Sequence, residues 1–459
     1  MTEQALGTAL PVWSAVPFAG VLLSIALFPL IAPRFWHHHY PKVAVFWAAL
    51  FAIPFLQSWR GEAVHQIAHI LWIDFVPFLA LLWALFTVTG GIHIAGTLRG
   101  TPAGNTAILA AGTVCASFIG TTGASMLLIR PLLRANAARK RRVHTVVFFI
   151  FLVSNVGGGL TPLGDPPLFL GFLKGVPFFW TLSLLPEVLF AALVLLAVYY
   201  LLDRSAVAGE QRDLLRAGLS TGIAEPPARR EPLRVEGGIN ILFLAGVAGA
   251  VLMSGLWRPD GFEAAGLHFG PETLLRESIL IVMGLCSLLL TPRAVRAANE
   301  FSWEPVREVA WLFFGIFVTI IPALAMLEAG TGGPFAPLLH AVDTPSHYFW
   351  ATGGLSSFLD NAPTYLAFLA SALGRFHGGV PSDEALRALI DQQPQILAAI
   401  SLGAVFMGAN TYIGNAPNFM VRSISEQAGI GMPSFFGYIL RWTVPVLIPL
   451  FLLVTLLFL

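Results

Sequence analysis

The chain has 459 residues, of which 56% are hydrophobic and only 11% charged, with a formal net charge of +1; its mean hydropathy is +0.76. Soluble domains carry roughly 25% charged residues, so this composition excludes a soluble globule and indicates an integral membrane protein. The near-neutral balance says nothing about partners, because the charges are partitioned among loops, and nothing in the sequence resembles a nucleic-acid footprint.

Apolar runs of roughly 17–25 residues are long enough to cross a hydrocarbon core of ~30 Å. In chain order they fall at 14–32, 42–58, 70–95, 144–175, 178–202, 238–256, 274–290, 308–327, 393–420 and 433–459, about ten spanning helices. Two further apolar stretches, 104–133 and 346–370, have polar or glycine-rich centres and read as re-entrant hairpins. No basic region precedes the first run, so a mature helix is expected there, not a cleaved leader. Cys115 and Cys286 sit in apolar segments and read as small buried side chains. His37–His39, His65 and His69 are expected in loops without acidic partners.

Basic residues set the expected orientation. The segment RANAARKRR (134–142) is the strongest cytoplasmic signal, joined by loops 33–42, 203–237 and 291–307. Residues 1–13 and 328–345 contain no Lys or Arg. Counting spans between these anchors works only if the two hairpins do not cross, and it places both termini outside the cytoplasm. The polar stretch 203–237 reads as a plain cytoplasmic connector between a first part, 1–202, and a second, 238–459.

The broken stretches occur twice. GGLTPLGDPPLF (158–169) matches GANTYIGNAPNF (408–419) at Gly158/Gly408, Thr161/Thr411, Gly164/Gly414, Pro167/Pro417 and Phe169/Phe419. Upstream, SFIGTTGASM (117–126) aligns with SFLDNAPTYL (357–366). Each half therefore carries a hairpin tip followed by a proline- and glycine-broken span, in opposite orientation. That pattern predicts an all-α membrane fold of two inverted repeats, with a site at the midplane where the breaks meet.

The predicted lining is Gly120, Thr121, Thr122 and Ser125 at the first tip; Ser154, Asn155, Thr161 and Asp165 at the first break; Asp360, Asn361 and Thr364 at the second tip; and Asn410, Thr411, Asn415 and Asn418 at the second break. Hydroxyls, amides and carboxylates are hard donors suited to Na⁺ or H⁺. An acid at mid-helix costs roughly 2.5–3.5 kcal/mol on insertion scales, which singles out Asp165 and Asp360. Glu187 is a proton-relay candidate, and the plain alternative is an interfacial acid. No Lys or Arg lies at the breaks, which favours a small cation as cargo, with a small carboxylate as the other reading. The zinc-protease, nucleophile-elbow and paired-aspartate signatures of an intramembrane enzyme are missing. No cofactor is expected beyond Na⁺ and H⁺ as transported or coupling ions.

The segments SNVGGGLTPLGDPP (154–167), FLDNAPTYL (358–366), GNAPNFMV (414–421) and MPSFFGY (432–438) resemble the ion transporter superfamily. The likeness is to its sodium/proton antiporter (NhaD-like), arsenite-pump and citrate-transporter-like branch. TGGIHIAGT (89–97) fits more weakly. The resemblance implies an elevator-type secondary transporter in a bacterial inner membrane, often a homodimer, with a scaffold and a transport part in each half. It places one ion site at the first tip with Ser154 and Asn155, and another at Asp360–Asn361 with Asn410–Thr411. Dicarboxylate carriers of this kind bear Ser-Asn-Thr at both sites. Here the first reads Ser154-Asn155-Val156 and the second Ala409-Asn410-Thr411. The expectation is Na⁺/H⁺ exchange, with sodium-coupled citrate or dicarboxylate uptake as the alternative.

Overall fold

The computed structural model describes residues 3–216, 232–264, 266–378 and 380–459. Among them the chain is almost wholly helical. Among the described residues nine helices are long and apolar enough to cross a membrane, and the only strands are two short antiparallel pairs.

Val16–Ile31 is followed by Pro33–His69, which continues through a π-helical turn, Ile70–Phe75, into Val76–Thr89. The expected loop at 59–69 is therefore helix, bent at Arg60, whose φ is 41°. The segment after Gly61 holds Glu62, Ala63, Gln66 and Ala68, good helix formers with no further Gly or Pro. His37–His39, His65 and His69 thus lie on this helix, not in loops; His37, expected without an acidic partner, faces Glu304, and His65 Nε2 meets the Gly266 carbonyl at 3.1 Å. The span expected to reach residue 95 stops at Thr89 before Gly90 and Gly91. His93–Ala95 then pairs with Arg234–Glu236 as a short antiparallel ladder, and His93 Nδ1 lies 3.0 Å from Glu236 Oε2.

The first hairpin is Pro102–Ile119 and Thr121–Ala135, turning at Gly120. The second is Pro345–Ser356 and Asn361–His377. The first broken span comprises Val143–Leu152, a 3₁₀ turn Val156–Leu160, and Pro166–Leu173. The second comprises Pro394–Met407, a 3₁₀ turn Gly408–Asn410, and Ala416–Gln427. Leu185–Arg216 runs well beyond its expected end, so 203–216 is ordered helix with Asp203 and Glu210 buried, not a plain connector. The expected connector's centre, 217–231, lies outside the described residues. Ile239–Leu256, Pro271–Leu290, Glu304–Glu328 and a C-terminal run from Phe435 through a π-helical Ile439–Leu447 to Ile448–Phe458 complete the fold.

Burial sorts these elements. Every residue of Val143–Leu152 after the half-buried Val143 is buried, as is almost all of Pro394–Met407. A helix apolar all round and buried all round belongs at the centre. Ile239–Leu256 and Pro271–Leu290 pack on each other and leave Leu242, Leu256, Leu285 and Leu289 exposed, as lipid-facing surfaces require.

Ion pairs gather the basic segments at one end. Arg130 meets Glu300 at 2.9 Å, Arg139 meets Asp203 at 2.6 Å, Arg141 meets Asp213 at 2.9 Å and His37 meets Glu304 at 3.5 Å. The open end of the first hairpin joins them, because Asn105 and Asn136 bond each other and Asn105 bonds Asp203. The second hairpin opens elsewhere, where Gly374 abuts Leu327 and Gly330 at the end of Glu304–Glu328.

Candidate functional site

The two breaks are built by the same local chemistry. Prolines and glycines stop the helical ladder, and a threonine in each break then ties its hydroxyl to a hairpin carbonyl. Thr161 Oγ1 donates to the Ser117 carbonyl, and Thr411 Oγ1 donates to the Ser357 carbonyl at 2.5 Å. Both hydroxyls also accept a backbone N–H two residues on, from Leu163 and Ile413. A Cβ at Gly164 would come within 2.3 Å of the Gly158 carbonyl oxygen, and one at Gly414 within 2.6 Å of the Gly408 oxygen, which explains the matched glycines. Gly120 supplies the left-handed turn of the first tip with φ 79°. The second tip uses a different device, in which Asp360 Oδ1 caps its helix by accepting from Ala362 N at 3.1 Å.

Four helices begin around one carboxylate. Thr121, the first residue of Thr121–Ala135, donates Oγ1 to Asp165 Oδ1 at 2.8 Å, and its backbone N–H donates to the Gly164 carbonyl at 2.8 Å. Asn361, the first residue of Asn361–His377, donates Nδ2 to Asp165 Oδ2 at 2.5 Å. Asn415, which precedes Ala416–Gln427, donates Nδ2 to Asp165 Oδ1 at 3.2 Å and to the Ser154 carbonyl at 3.0 Å. Asp165 itself precedes Pro166–Leu173. The positive ends of four helix dipoles therefore face a common point.

A second layer locks the breaks together. Asn155 Nδ2 donates to Asn418 Oδ1 and to the Ile150 carbonyl, each at 2.8 Å. Asn418 Nδ2 donates to the Gly408 and Thr411 carbonyls at 2.8 and 2.9 Å. Ser125 and Ser154 share a hydroxyl contact of 2.9 Å, and Asn410 Nδ2 donates to Ser357 Oγ at 2.9 Å. A carboxylate only accepts, which fixes the amide of Asn361 with nitrogen towards Asp165. Its Oδ1, and that of Asn410, are buried without a hydrogen-bond partner. Buried unpaired oxygens carry a desolvation cost, and a hard cation relieves it.

Thus Thr121, Ser154, Asn155, Asp165, Asn361, Asn415 and Asn418 form one connected buried network, with Asn410 beside it on Ser357. Thr161 and Thr411 border the network as backbone ties, each hydroxyl donating to a tip carbonyl and accepting from its own break. Thr364 donates to the carbonyl of Asp360 within its own helix at 2.9 Å. Asp360 is half-buried at the second tip, next in chain to Asn361. Like Asp360 and Thr364, which bond within their own helix, Thr122 lies outside the network. It is half-buried and its hydroxyl takes no part in the network, because consecutive residues of a helix point about 100° apart and Thr121 already faces Asp165. Glu187 also stands apart, in the first turn of Leu185–Arg216 beside Val188, which abuts Gly159. Ser117 and Ser357 were missed as site residues, although the shared Ser-Phe at each tip was visible in the alignment of the halves.

A search of curated proteins found no match. The sequence model of a family described as "Putative citrate transport" matches residues 7–459. With nearly the whole chain covered, the buried broken spans belong to a multi-pass membrane transporter of the citrate-transporter-like branch of the ion transporter superfamily. The chain is a member of that citrate-transport family.

Proposed function

We propose that this protein is a secondary carrier that takes up a small carboxylate, citrate or a dicarboxylate, with Na⁺. The convergence of four helix N-termini on the Asp165 region carries this reading. Helix starts bind carboxylates without Lys or Arg, so the lack of cationic side chains at the breaks no longer counts against an anionic cargo. The buried Oδ1 atoms of Asn361 and Asn410 supply hard acceptors for coupling Na⁺ near Ser154, Asn155 and Asp360. Ser357 Oγ, on Asn410, offers the hydroxyl that position 409 lacks. The family description supports the same cargo class.

Na⁺/H⁺ exchange is the second reading. One observation favours it: among the described residues, Asp165 is a buried carboxylate held by three neutral donors and no fixed cation, a group able to trade H⁺ for Na⁺.

The matched Thr161/Ser117 and Thr411/Ser357 ties support two inverted repeats, 1–202 and 238–459, joined by 203–237. In this reading the hairpins and broken spans form the transport part of an elevator, in a homodimer. The basic end faces the cytoplasm of a bacterial inner membrane, and both termini lie outside. Purified protein in liposomes holding a pH dye tests the choice. Labelled citrate accumulating only with an inward Na⁺ gradient, and no proton movement on Na⁺ alone, supports uptake. Proton efflux evoked by Na⁺ without citrate establishes exchange instead.

A further inference from the structure

The half-helix Pro166–Leu173 starts at Asp165 and ends at Lys174, so one short element connects the polar network to a second set of charges. Lys174 Nζ donates to Asp74 Oδ2 at 2.7 Å. The Asp74 side chain is only 3% exposed and sits on the π-helical turn Ile70–Phe75, a distortion that re-aims side chains and recurs at functional sites. On the half-helix's other flank, the Arg276 guanidinium of Pro271–Leu290 lies 5.9 Å from the ring centroids of both Phe169 and Phe172. Arg276 is buried and is held by Glu277 at 2.8 Å and by Ser254 Oγ at 3.3 Å. A cavity of about 30 Å³, also lined by Gln66, His69 and Glu328, borders the Asp74–Lys174 pair.

The Lys174 side chain is 32% exposed, so only the Asp74 side of the pair is desolvated; such a pair is a poor source of net stability, and the best-attested use of buried charges is to fix register or hold a switch. Both contacts join helices outside the network to the single element that carries Asp165. We propose that Asp74, Lys174 and Arg276 are positioning residues that latch the half-helix to the outer helices, and that the latch must open for the binding site to move. The proposal rests on the carrier reading with a moving transport part.

The test uses full-length protein in lipid nanodiscs with Cys115 and Cys286 replaced by Ser, and spin labels on the exposed Asp260→Cys and Asp383→Cys. The parent is expected to show two label distances whose ratio changes when Na⁺ and citrate are added. Asp74→Asn with Lys174→Met should shift the ligand-free ratio about tenfold away from the distance of the present structure. Lys174→Arg, which keeps the pair, should leave the ratio within about twofold. Arg276→Lys keeps the charge beside Glu277 but loses the planar contact with the rings, and an intermediate shift is expected. It supplies the readout should the double variant not fold. Parental ratios in the variants, with two distances still present, overturn the latch. A single distance in the parent under every condition overturns the moving-carrier reading itself.

Discussion

Asn155 Nδ2 donates to Asn418 Oδ1 at 2.8 Å, a bond that crosses 263 residues of sequence to join the first broken span to the second. Both side chains are fully buried, and each also holds carbonyls freed where a helix stops. The pair is the mechanical junction of the site.

Asn155→Ala and Asn418→Ala should each destabilise the protein by about 1–3 kcal/mol, because each leaves a buried partner unsatisfied. The double variant should cost less than the sum of the singles, with a coupling of about 1 kcal/mol. Denaturation midpoints in mixed detergent across the four-protein cycle check this. Strict additivity would mean that the two amides act independently.

Asp165→Asn should abolish transport, with uptake down at least about 100-fold, while the protein still reaches the membrane. The new amide cannot accept from Thr121, Asn361 and Asn415 together, so a modest loss of thermal stability accompanies it. Near-normal Na⁺-driven citrate uptake in this variant would remove Asp165 from the mechanism.

Asn410→Ala removes one of the two unpartnered buried amide oxygens at the site, the other being that of Asn361. The expected result is a rise of about tenfold in the Na⁺ concentration for half-maximal uptake, equivalent to ~1.4 kcal/mol, with maximal rate largely kept. Uptake measured against Na⁺ concentration at saturating citrate decides it. An unchanged Na⁺ dependence would assign Asn410 a packing role only.

Gly164→Ala and Gly414→Ala should both damage folding, by about 1–3 kcal/mol or more, since the added Cβ meets a carbonyl that cannot yield. Gly354→Ala, with open space around its Cβ position, is the neutral control. Yield of monodisperse protein and its melting temperature report the difference.

At the far end of the first hairpin, Asp203→Asn should cost about 3–5 kcal/mol, because it strips the buried Arg139 guanidinium of its nearest carboxylate. Replacing both, with Asp203→Asn and Arg139→Met, should recover part of the loss. Thermal unfolding checks this, and a double variant worse than the single would contradict it.

Much of this was legible in the primary structure because membrane insertion forces a strong pattern. The breaks at 158–167 and 408–417 stood out because Pro and Gly are conspicuous in apolar surroundings, and Asp165 stood out because buried charge is costly. The helix through 59–69 was not legible, because a polar amphipathic segment at a membrane surface looks like a loop. Neighbours on a helix also cannot be ranked by residue type alone, which is why Thr122 was grouped with Thr121. The placement of Asn361 against Asp165 depends on contacts between distant halves, which no local pattern encodes. The convergence of helix starts likewise reversed the weight of the missing Lys and Arg, since a dipole carries no residue letter.

Thr161 and Thr411 anchor the breaks to main-chain oxygens of Ser117 and Ser357, not to side chains. No substitution at 117 or 357 deletes those acceptors. These two main-chain ties are thereby insulated from substitution at the tips, unlike the bonds made by the Ser117 and Ser357 hydroxyls themselves, while the matched positions 165 and 415 differ in charge. Under the proposed carrier reading, such a division would let one scaffold exchange its cargo by changing a few polar side chains and leaving the architecture intact.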